Sequence, residues 1–414
     1  MTVRSLFPVW RSRLRAMTQT QESLWPLDPT NVGTGLPLEG VRILDLSRVL
    51  AGPLSTLVAS DLGADVVKVE PPTGDPVRSL APPRVDGEAT YYLSVNRNRR
   101  SVVIDLRSDD DRLFLRSLVG AADAVVENYL PSQARELGIE QMKADFPDVV
   151  WVTVAPAALG GPLGDEPSFD LLAQARSGIM GVTGSPESGP LKVGSPIADV
   201  VTGLYACIGL LTGLFARASD RSTPGLRIEA PLLESTIASL INQAGGYLGT
   251  QKAPRLLGNE HPNIVPYAPY ATADRELLIA VATEAQFKSL CRALGTEAVG
   301  ADPRFETNDD RVENREALRT LMEVILTTQS STHWIGIFSE HGVPCAPVND
   351  VPAALAQEQI TSGDLVQEVT LATGSTMPII GSPLRLDGVR PKIRKAPPLL
   401  GEDTQAFHDR YSSS

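Results

Sequence analysis

Two aspartates and a histidine carry most of the chemical promise of this chain. Asp199 stands directly before Val200–Ala216, a run without a single charge that closes at Arg217. A carboxylate in that position accepts N–H groups at a helix start and gains from the helix dipole. Oriented this way against apolar walls, it is also placed to act as a nucleophile, and the two roles are compatible. Asp170, in Ser168-Phe169-Asp170-Leu171-Leu172-Ala173-Gln174, precedes a Leu/Ala helix, where it can serve as the cap. His261 is the sole histidine of the Gly/Asn/Pro loop Gly258–Tyr267, the kind of segment where functional groups concentrate. A surface loop with no role is the alternative there. Asn96-Arg97-Asn98-Arg99-Arg100 packs three cations before a strand; it reads as a solvated face or as the seat of an anionic group.

What the chain lacks narrows the chemistry. The four histidines show neither HExxH nor HxH spacing, and the three cysteines form no CxxC pair, so no metal site is expected. Odd, scattered cysteines fit a reducing compartment rather than a disulfide framework. The net charge of −12 repels phosphate backbones, which argues against nucleic acid as a partner. The uncharged run lies at the bottom of the membrane-spanning range and carries Gly203, Gly209 and Gly213, so it is expected as a buried helix of a soluble domain and no membrane partner is expected.

The elements that must position these residues begin at Leu38. Val41–Leu46 is an apolar strand, Leu54–Leu62 a helix closed by Gly63, and Ala64–Val69 a second strand, together a βαβ unit. Strands at 101–106, 123–127 and 149–154 and a helix over 109–121 continue the alternation. This predicts an α/β fold: a Rossmann-like open parallel sheet as the large domain, with a smaller α+β domain. The expected organisation is an N-terminal arm over 1–37, a large domain over 38–220, a small domain over 226–335, and a segment over 342–414 returning to the large domain. In the small domain, strands are expected at 226–230 and 276–282 and helices at 284–294 and 315–327. Glu70 ends the second strand where a ribose-binding carboxylate would sit, but the first βα loop, Ser47-Arg48-Val49-Leu50-Ala51-Gly52-Pro53, lacks the glycine fingerprint, so a dinucleotide is not expected. Residues 1–20 carry four arginines and no acid. We read them as an overextended start with Met17 as initiator and expect a cytoplasmic protein; a genuine transit peptide would make it mitochondrial.

Read together, several segments carry a family likeness. They are Leu38–Ser47, Leu62–Glu70, Tyr91–Asn98, Val126–Tyr129, Ala198–Gly203, Gly258–Tyr267 and Ala396–Glu402. In this order the chain resembles the family III CoA-transferases of the CaiB/BaiF type from about Leu38 to Thr404. It is most similar to the branch that moves CoA from succinyl-CoA to dicarboxylates of the glutarate kind. The resemblance implies two chains interlocked as a homodimer. It implies a catalytic aspartate at Asp199 that carries CoA as an aspartyl thioester. It implies CoA contacts at Leu50, Ala51, Pro71, Ile104, Asp105, Leu106, Arg107, Asn128 and Tyr129, and a second acid at Asp170. Coenzyme A thioester enters as substrate, and no bound cofactor is expected. Lys192, seven residues before Asp199, is expected either to pair with the remote carboxylate of a dicarboxylate or to be a solvated loop residue.

The sequence departs from the family in two places. The glycine-rich loop common before Gly-Pro reads Pro156-Ala157-Ala158-Leu159-Gly160-Gly161-Pro162 here. Related racemases carry His-Asp where this chain has Phe169-Asp170, and losing that histidine removes one of two acid/base groups. An acyl-CoA racemase is therefore the lesser reading, beside a catalytically silent CoA-binding partner subunit.

Overall fold

A computed structural model of the chain describes residues 25–26, 28–220 and 224–412. Residues 1–24 of the expected arm, with their arginines, lie outside the described residues. Two compact units form. The first runs to Ile179 and adds Val193–Gly245 and everything from Gln359; the second holds Met180–Lys192 and Gly246–Glu358.

The first unit is built on six parallel strands: β1 (Arg42–Asp45), β2 (Asp65–Glu70), β3 (Arg99–Val103), β4 (Ala124–Glu127), β5 (Val150–Ala155) and β6 (Arg227–Pro231). Their order across the sheet is β6-β5-β4-β1-β2-β3. The chain thus runs outward from β1 in one direction, then returns and runs outward from β4 in the other. Leu44 of β1 lies opposite both Val67 and Val125, so β1 and β4 meet at the point of reversal. In open α/β sheets the crevice at the carboxyl ends of the strands, at this switch point, is where ligands bind.

The strands are apolar on both faces because both are covered. Helices α1 (Ala51–Asp61) and α4 (Ile197–Ser219) lie on one face against Val150, Val152 and Val154; α2 (Asp109–Ala121) lies on the other with Phe114, Leu118 and Trp151. Ser108 starts α2, its hydroxyl accepting the N–H of Asp111 at 3.3 Å, and three aspartates fill the first turn where the helix dipole favours them. Two short helices, α3 (Asp170–Ser177) and α5 (Leu232–Ala238), complete the surroundings of α4.

α4 is not the fully buried helix that its composition suggests. Its small-residue face, with Thr202, Gly203, Ala206, Leu210 and Gly213, packs inward, while Leu204, Tyr205, Ile208 and Phe215 face outward and are about half exposed. By length and composition it could cross a membrane. Its inner face is instead a core element: a Cβ on Gly203 would meet the carbonyl oxygen of Ala51 at 2.7 Å, and one on Gly213 would meet Val150 at 2.5 Å.

The second unit has a three-stranded antiparallel sheet of β7 (Tyr267–Ala271), β8 (Glu276–Ala280) and β9 (Cys345–Pro347), with β8 central. Helices α6 (Glu284–Ala293), α7 (Arg315–Leu326) and α8 (Ser331–Glu340) close a separate core around Phe287, Phe305, Trp334 and Phe338. From Gln359 the chain rejoins the first unit with a hairpin, β10 (Val366–Thr370) and β11 (Thr376–Ile380), and a last helix, α9 (Thr404–Ser412), whose Phe407 enters the large core.

The units do not divide where the sequence places the boundaries of 226–335 and 342–414. Arg227–Pro231 is the sixth strand of the large sheet, paired in parallel with Val150–Ala155, so 226–245 stays with the first unit. Cys345–Pro347 pairs with β8, so the return to the first unit comes after it.

Candidate active site

The loops leaving β1 and β4 are tied together across the switch point by one side chain. Asn128 accepts the N–H of Arg48 through Oδ1 at 3.0 Å and donates Nδ2 to the carbonyl of Arg48 at 2.9 Å. The next residue, Val49, sits at φ +71°, a conformation that costs a β-branched side chain energy. Its N–H is held by the carboxylate of Asp75, which is paired at 2.7 Å with the fully buried Lys68. The β1 loop is thus fixed at both ends before α1 begins at Ala51.

These loops border a cavity of about 310 Å³ that Asp199 lines together with Arg48, Leu50, Asn128, Val154 and Phe169. Three of the residues expected to contact substrate, Leu50, Ala51 and Asn128, line it with the expected nucleophile. The others lie elsewhere. Ile104 and Leu106 bury their side chains in the large core, Asp105 and Arg107 form a surface ion pair at 3.0 Å, and Pro71 follows the end of β2. Tyr129 lines a neighbouring cavity with Glu127, Arg135 and Lys143, and the guanidinium of Arg48 lies over its ring, 5.1 Å from the centroid.

Asp199 is the third residue of α4. Pro196, before the helix, offers no side-chain cap. Asp170, the first residue of α3, supplies it instead: Oδ1 accepts the N–H groups of Ala198 at 2.9 Å and of Asp199 at 3.4 Å, while Oδ2 accepts Gln174 Nε2 at 2.7 Å. Gln174 in turn accepts the N–H of Val193 at 2.8 Å, which fixes the approach to α4. Asp170 therefore caps a helix other than its own. Burial first, and then the like charge of Asp170, push Asp199 up to about 7. The helix start would favour the Asp199 anion, but Asp170 already occupies those donors. Tyr91, packed against the cluster of Leu50, Leu57 and Val95, is pushed up to about 12 by burial and by the charges of Asp199, Asp170 and Asp75, so its phenol stays neutral beside the site. Neither Tyr91 nor Arg48 is singled out by residue type or spacing; each stands in the sequence only as a member of a longer motif.

The cationic cluster at 96–100 proves to be structural, neither a solvated face nor an anion site. Arg97 pairs with Asp61 at 2.6 Å, Arg99 with Asp45 at 3.0 Å and Arg100 with Asp65 at 2.7 Å, all buried. Glu70 is likewise consumed inside the fold by a two-point fork from Arg78, at 2.8 Å each. Burial would raise Glu70, but Arg78, Lys68 and Ser101 outweigh it and hold it at about 2.

His261 and Lys192 belong to the second unit. The ring of His261 accepts the N–H of Asn263 through Nδ1 at 3.1 Å and contacts Tyr267; burial and Arg315 lower its basicity. The N–H groups of Gly258, Glu260, His261 and Asn263 are all engaged within that unit, so this loop holds its own fold rather than presenting a row of free donors. Lys192 is exposed.

Fold and site together define an α/β enzyme whose switch-point crevice presents a half-buried, unusually basic carboxylate. The comparisons with known proteins agree. The sequence profile of CoA-transferase family III matches residues 38–404. Succinyl-CoA:glutarate CoA-transferase of Mus musculus is 35% identical over 89% of this chain and 85% of its own length. Succinate–glutarate CoA-transferase of Agrobacterium fabrum is 34% identical over 88% of this chain and 93% of its own. Among solved structures, a CAIB/BAIF family protein from Brucella suis superposes with a TM-score of 0.79 at 34% identity, covering 90% of this chain and 99% of that one. The chain belongs to CoA-transferase family III and is a CoA-transferase.

Proposed function

We propose that this enzyme moves CoA from an acyl-CoA donor such as succinyl-CoA to a dicarboxylic acid, through a thioester on Asp199. The observation that carries the reading is the placement of Asp199: a carboxylate held up to about 7, fixed at the start of α4 and lining the switch-point cavity. The substrate class is supported by the relatives named for glutarate, and by the acetyl-CoA:oxalate CoA-transferase of Acetobacter aceti at 32% identity.

The chemistry follows from a carboxylate facing a thioester. Asp199 attacks the donor carbonyl; the C–S bond breaks, giving a mixed anhydride and CoA thiolate. The thiolate attacks the aspartyl carbonyl, the anhydride C–O bond breaks, and the donor leaves as its carboxylate while Asp199 holds CoA. The acceptor carboxylate attacks that thioester and releases the thiolate. The thiolate then takes the acceptor acyl group and returns Asp199 as a free carboxylate. A carboxylate of raised basicity is the better nucleophile, and apolar walls keep out the water that would hydrolyse the anhydride. We further propose a homodimer: the outward face of α4, with Ile208 and Phe215, is apolar and about half exposed in one chain.

The racemase reading gains nothing from the geometry, since Phe169 cannot exchange a proton. The test is a screen of acyl-CoA donors against carboxylic acids with purified protein, read by mass spectrometry. Asp199→Ala should fold and bind CoA yet transfer none, and borohydride should trap the wild-type adduct at residue 199. Normal turnover by Asp199→Ala would sink the mechanism; a wild type that binds CoA but transfers to no acid would leave the silent-subunit reading in its place.

A further inference from the structure

We infer that Arg48 is the cation that selects a second carboxylate on the acid substrate. The inference rests on the proposed CoA transfer at Asp199 and deepens it by naming what holds the far end of the acid. Of the described residues that line the Asp199 cavity, Arg48 alone is positively charged and Asp199 alone is negatively charged. The rest of the lining includes Leu50, Leu130, Val154, Phe169 and Leu232, apolar side chains suited to a short methylene chain.

Arg48 is also unlike the other arginines around this sheet. Arg78, Arg97, Arg99 and Arg100 are each buried against an acid. Among the described residues the guanidinium of Arg48 makes no ion pair and donates no hydrogen bond; its one contact of note is the face of Tyr129. Yet its backbone is clamped at both the N–H and the carbonyl by Asn128. In a chain with twelve more acids than bases, an arginine held in place and left unpaired in a cavity is available to an anion. A guanidinium over an aromatic ring still offers a planar fork that matches a carboxylate with two parallel hydrogen bonds. A diacid then places one carboxylate at Asp199, its methylenes along the apolar wall, and its other carboxylate on Arg48. A monoacid leaves the guanidinium unmatched in a partly desolvated site and is discriminated against. The sequence offered Lys192 for this task; the cavity itself supplies Arg48.

The same fork would suit a phosphate of CoA, so the test separates the two anions. Initial rates are measured for wild type, Arg48→Met and Arg48→Lys with C2 to C6 diacids and chain-matched monoacids, using succinyl-CoA and butyryl-CoA as donors. Binding of desulfo-CoA is measured by calorimetry. Arg48→Met should lose about 100-fold in kcat/KM for the preferred diacid, change less than about 3-fold for its monoacid, and bind desulfo-CoA as wild type does. Arg48→Lys should recover part of the loss, which also shows that the fold survives. Equal losses for both acids with weakened desulfo-CoA binding would assign Arg48 to a CoA phosphate and overturn the proposal. So would a wild type indifferent to the second carboxylate, or an Arg48→Met variant that keeps the preference. Failure of the underlying mechanism is distinguishable, because it shows as transfer by Asp199→Ala or as no transfer to any acid.

Discussion

The carboxylate of Asp170 accepts the backbone N–H of Asp199, at 3.4 Å, and that of Ala198, at 2.9 Å. One acid thereby takes the helix-start donors that would have stabilised the other, and adds a like charge beside it. The outcome is a fixed backbone under Asp199 and a side chain more basic than an ordinary aspartate. A transferase that must attack a thioester profits from both: position from the cap, nucleophilicity from the raised basicity.

With Asp199 as the proposed nucleophile, this arrangement predicts that the rate of adduct formation depends on pH. On the proposed mechanism only ionised Asp199 attacks, and burial with Asp170 holds it at about 7. Single-turnover formation of the Asp199–CoA adduct should therefore rise with pH and be half-maximal near pH 7. Asp170→Asn keeps an oxygen for the N–H groups but removes the charge. Its midpoint should move down by about one unit, with burial keeping it above the value of a free aspartate. Quenched-flow mass spectrometry measures both midpoints; an unmoved midpoint in Asp170→Asn would show that the like charge does not set the basicity.

The same shift has a cost in stability. The folded-state value of about 7 lies above the ordinary 3.8, so the folded protein prefers protonated Asp199. That preference leaves stability intact below about pH 4 and reduces it as the pH rises to 7, with the full penalty above. Asp199→Asn mimics the protonated form. It should be more stable than wild type by about 1–3 kcal/mol at pH 8 and no more stable at pH 3.5, in urea melts at the two pH values. A gain that is equal at both would have to come from something other than the charge.

Close packing of α4 on α1 gives a third expectation. Gly203 lies one turn after Asp199, and a Cβ there would press on the carbonyl of Ala51, a backbone atom that cannot swing aside. Gly203→Val should cost about 1–3 kcal/mol by overpacking and also displace Asp199 relative to the β1 loop. Transfer should thus fall by more than the loss of folded protein explains, which activity per folded molecule would reveal. Proportional losses would mean that the helix seats normally.

The parts of this molecule legible in the sequence are those set by local pattern. The strands around β1, β2, β4 and β5 fall within a residue or two of their apolar runs, and Gly63, at φ +105°, ends α1 as a helix-closing glycine should. What local pattern does not show depends on partners distant along the chain. Arg227–Pro231 reads as a strand, but only its pairing with Val150–Ala155 places it in the large sheet. The arginines at 97, 99 and 100 look like a free cationic patch until Asp61, Asp45 and Asp65 are seen to meet them. The helix of Val200–Ala216 is apolar all round, so its pattern cannot separate the face on the sheet from the face turned outward. Asp170 announces an acid near a helix start, but not that the helix it caps begins at Ile197.

The buried pair Arg99–Asp45 connects this hidden electrostatics to the site. Asp45 ends β1 and accepts the N–H of Ser47 at 2.9 Å and the hydroxyl of Thr56 at 2.6 Å; Arg99 donates to it and, through Nη2, to the carbonyl of Pro53 at 2.8 Å. One arginine from β3 thus braces both ends of the loop that carries Arg48 and Leu50. Both side chains are fully buried, so removing one leaves an uncompensated charge in the core. Arg99→Met should cost about 3–5 kcal/mol, whereas Arg99→Met combined with Asp45→Asn should recover a large part of it, because the orphaned charge is gone. The double variant should remain impaired in transfer, since Pro53 has lost its donor and the β1 loop its brace. Guanidinium melts of the two single variants and the pair give the coupling directly. Additive losses would mean that the two side chains do not act as a pair, and a double variant with wild-type turnover would remove Arg99 from the positioning of the site.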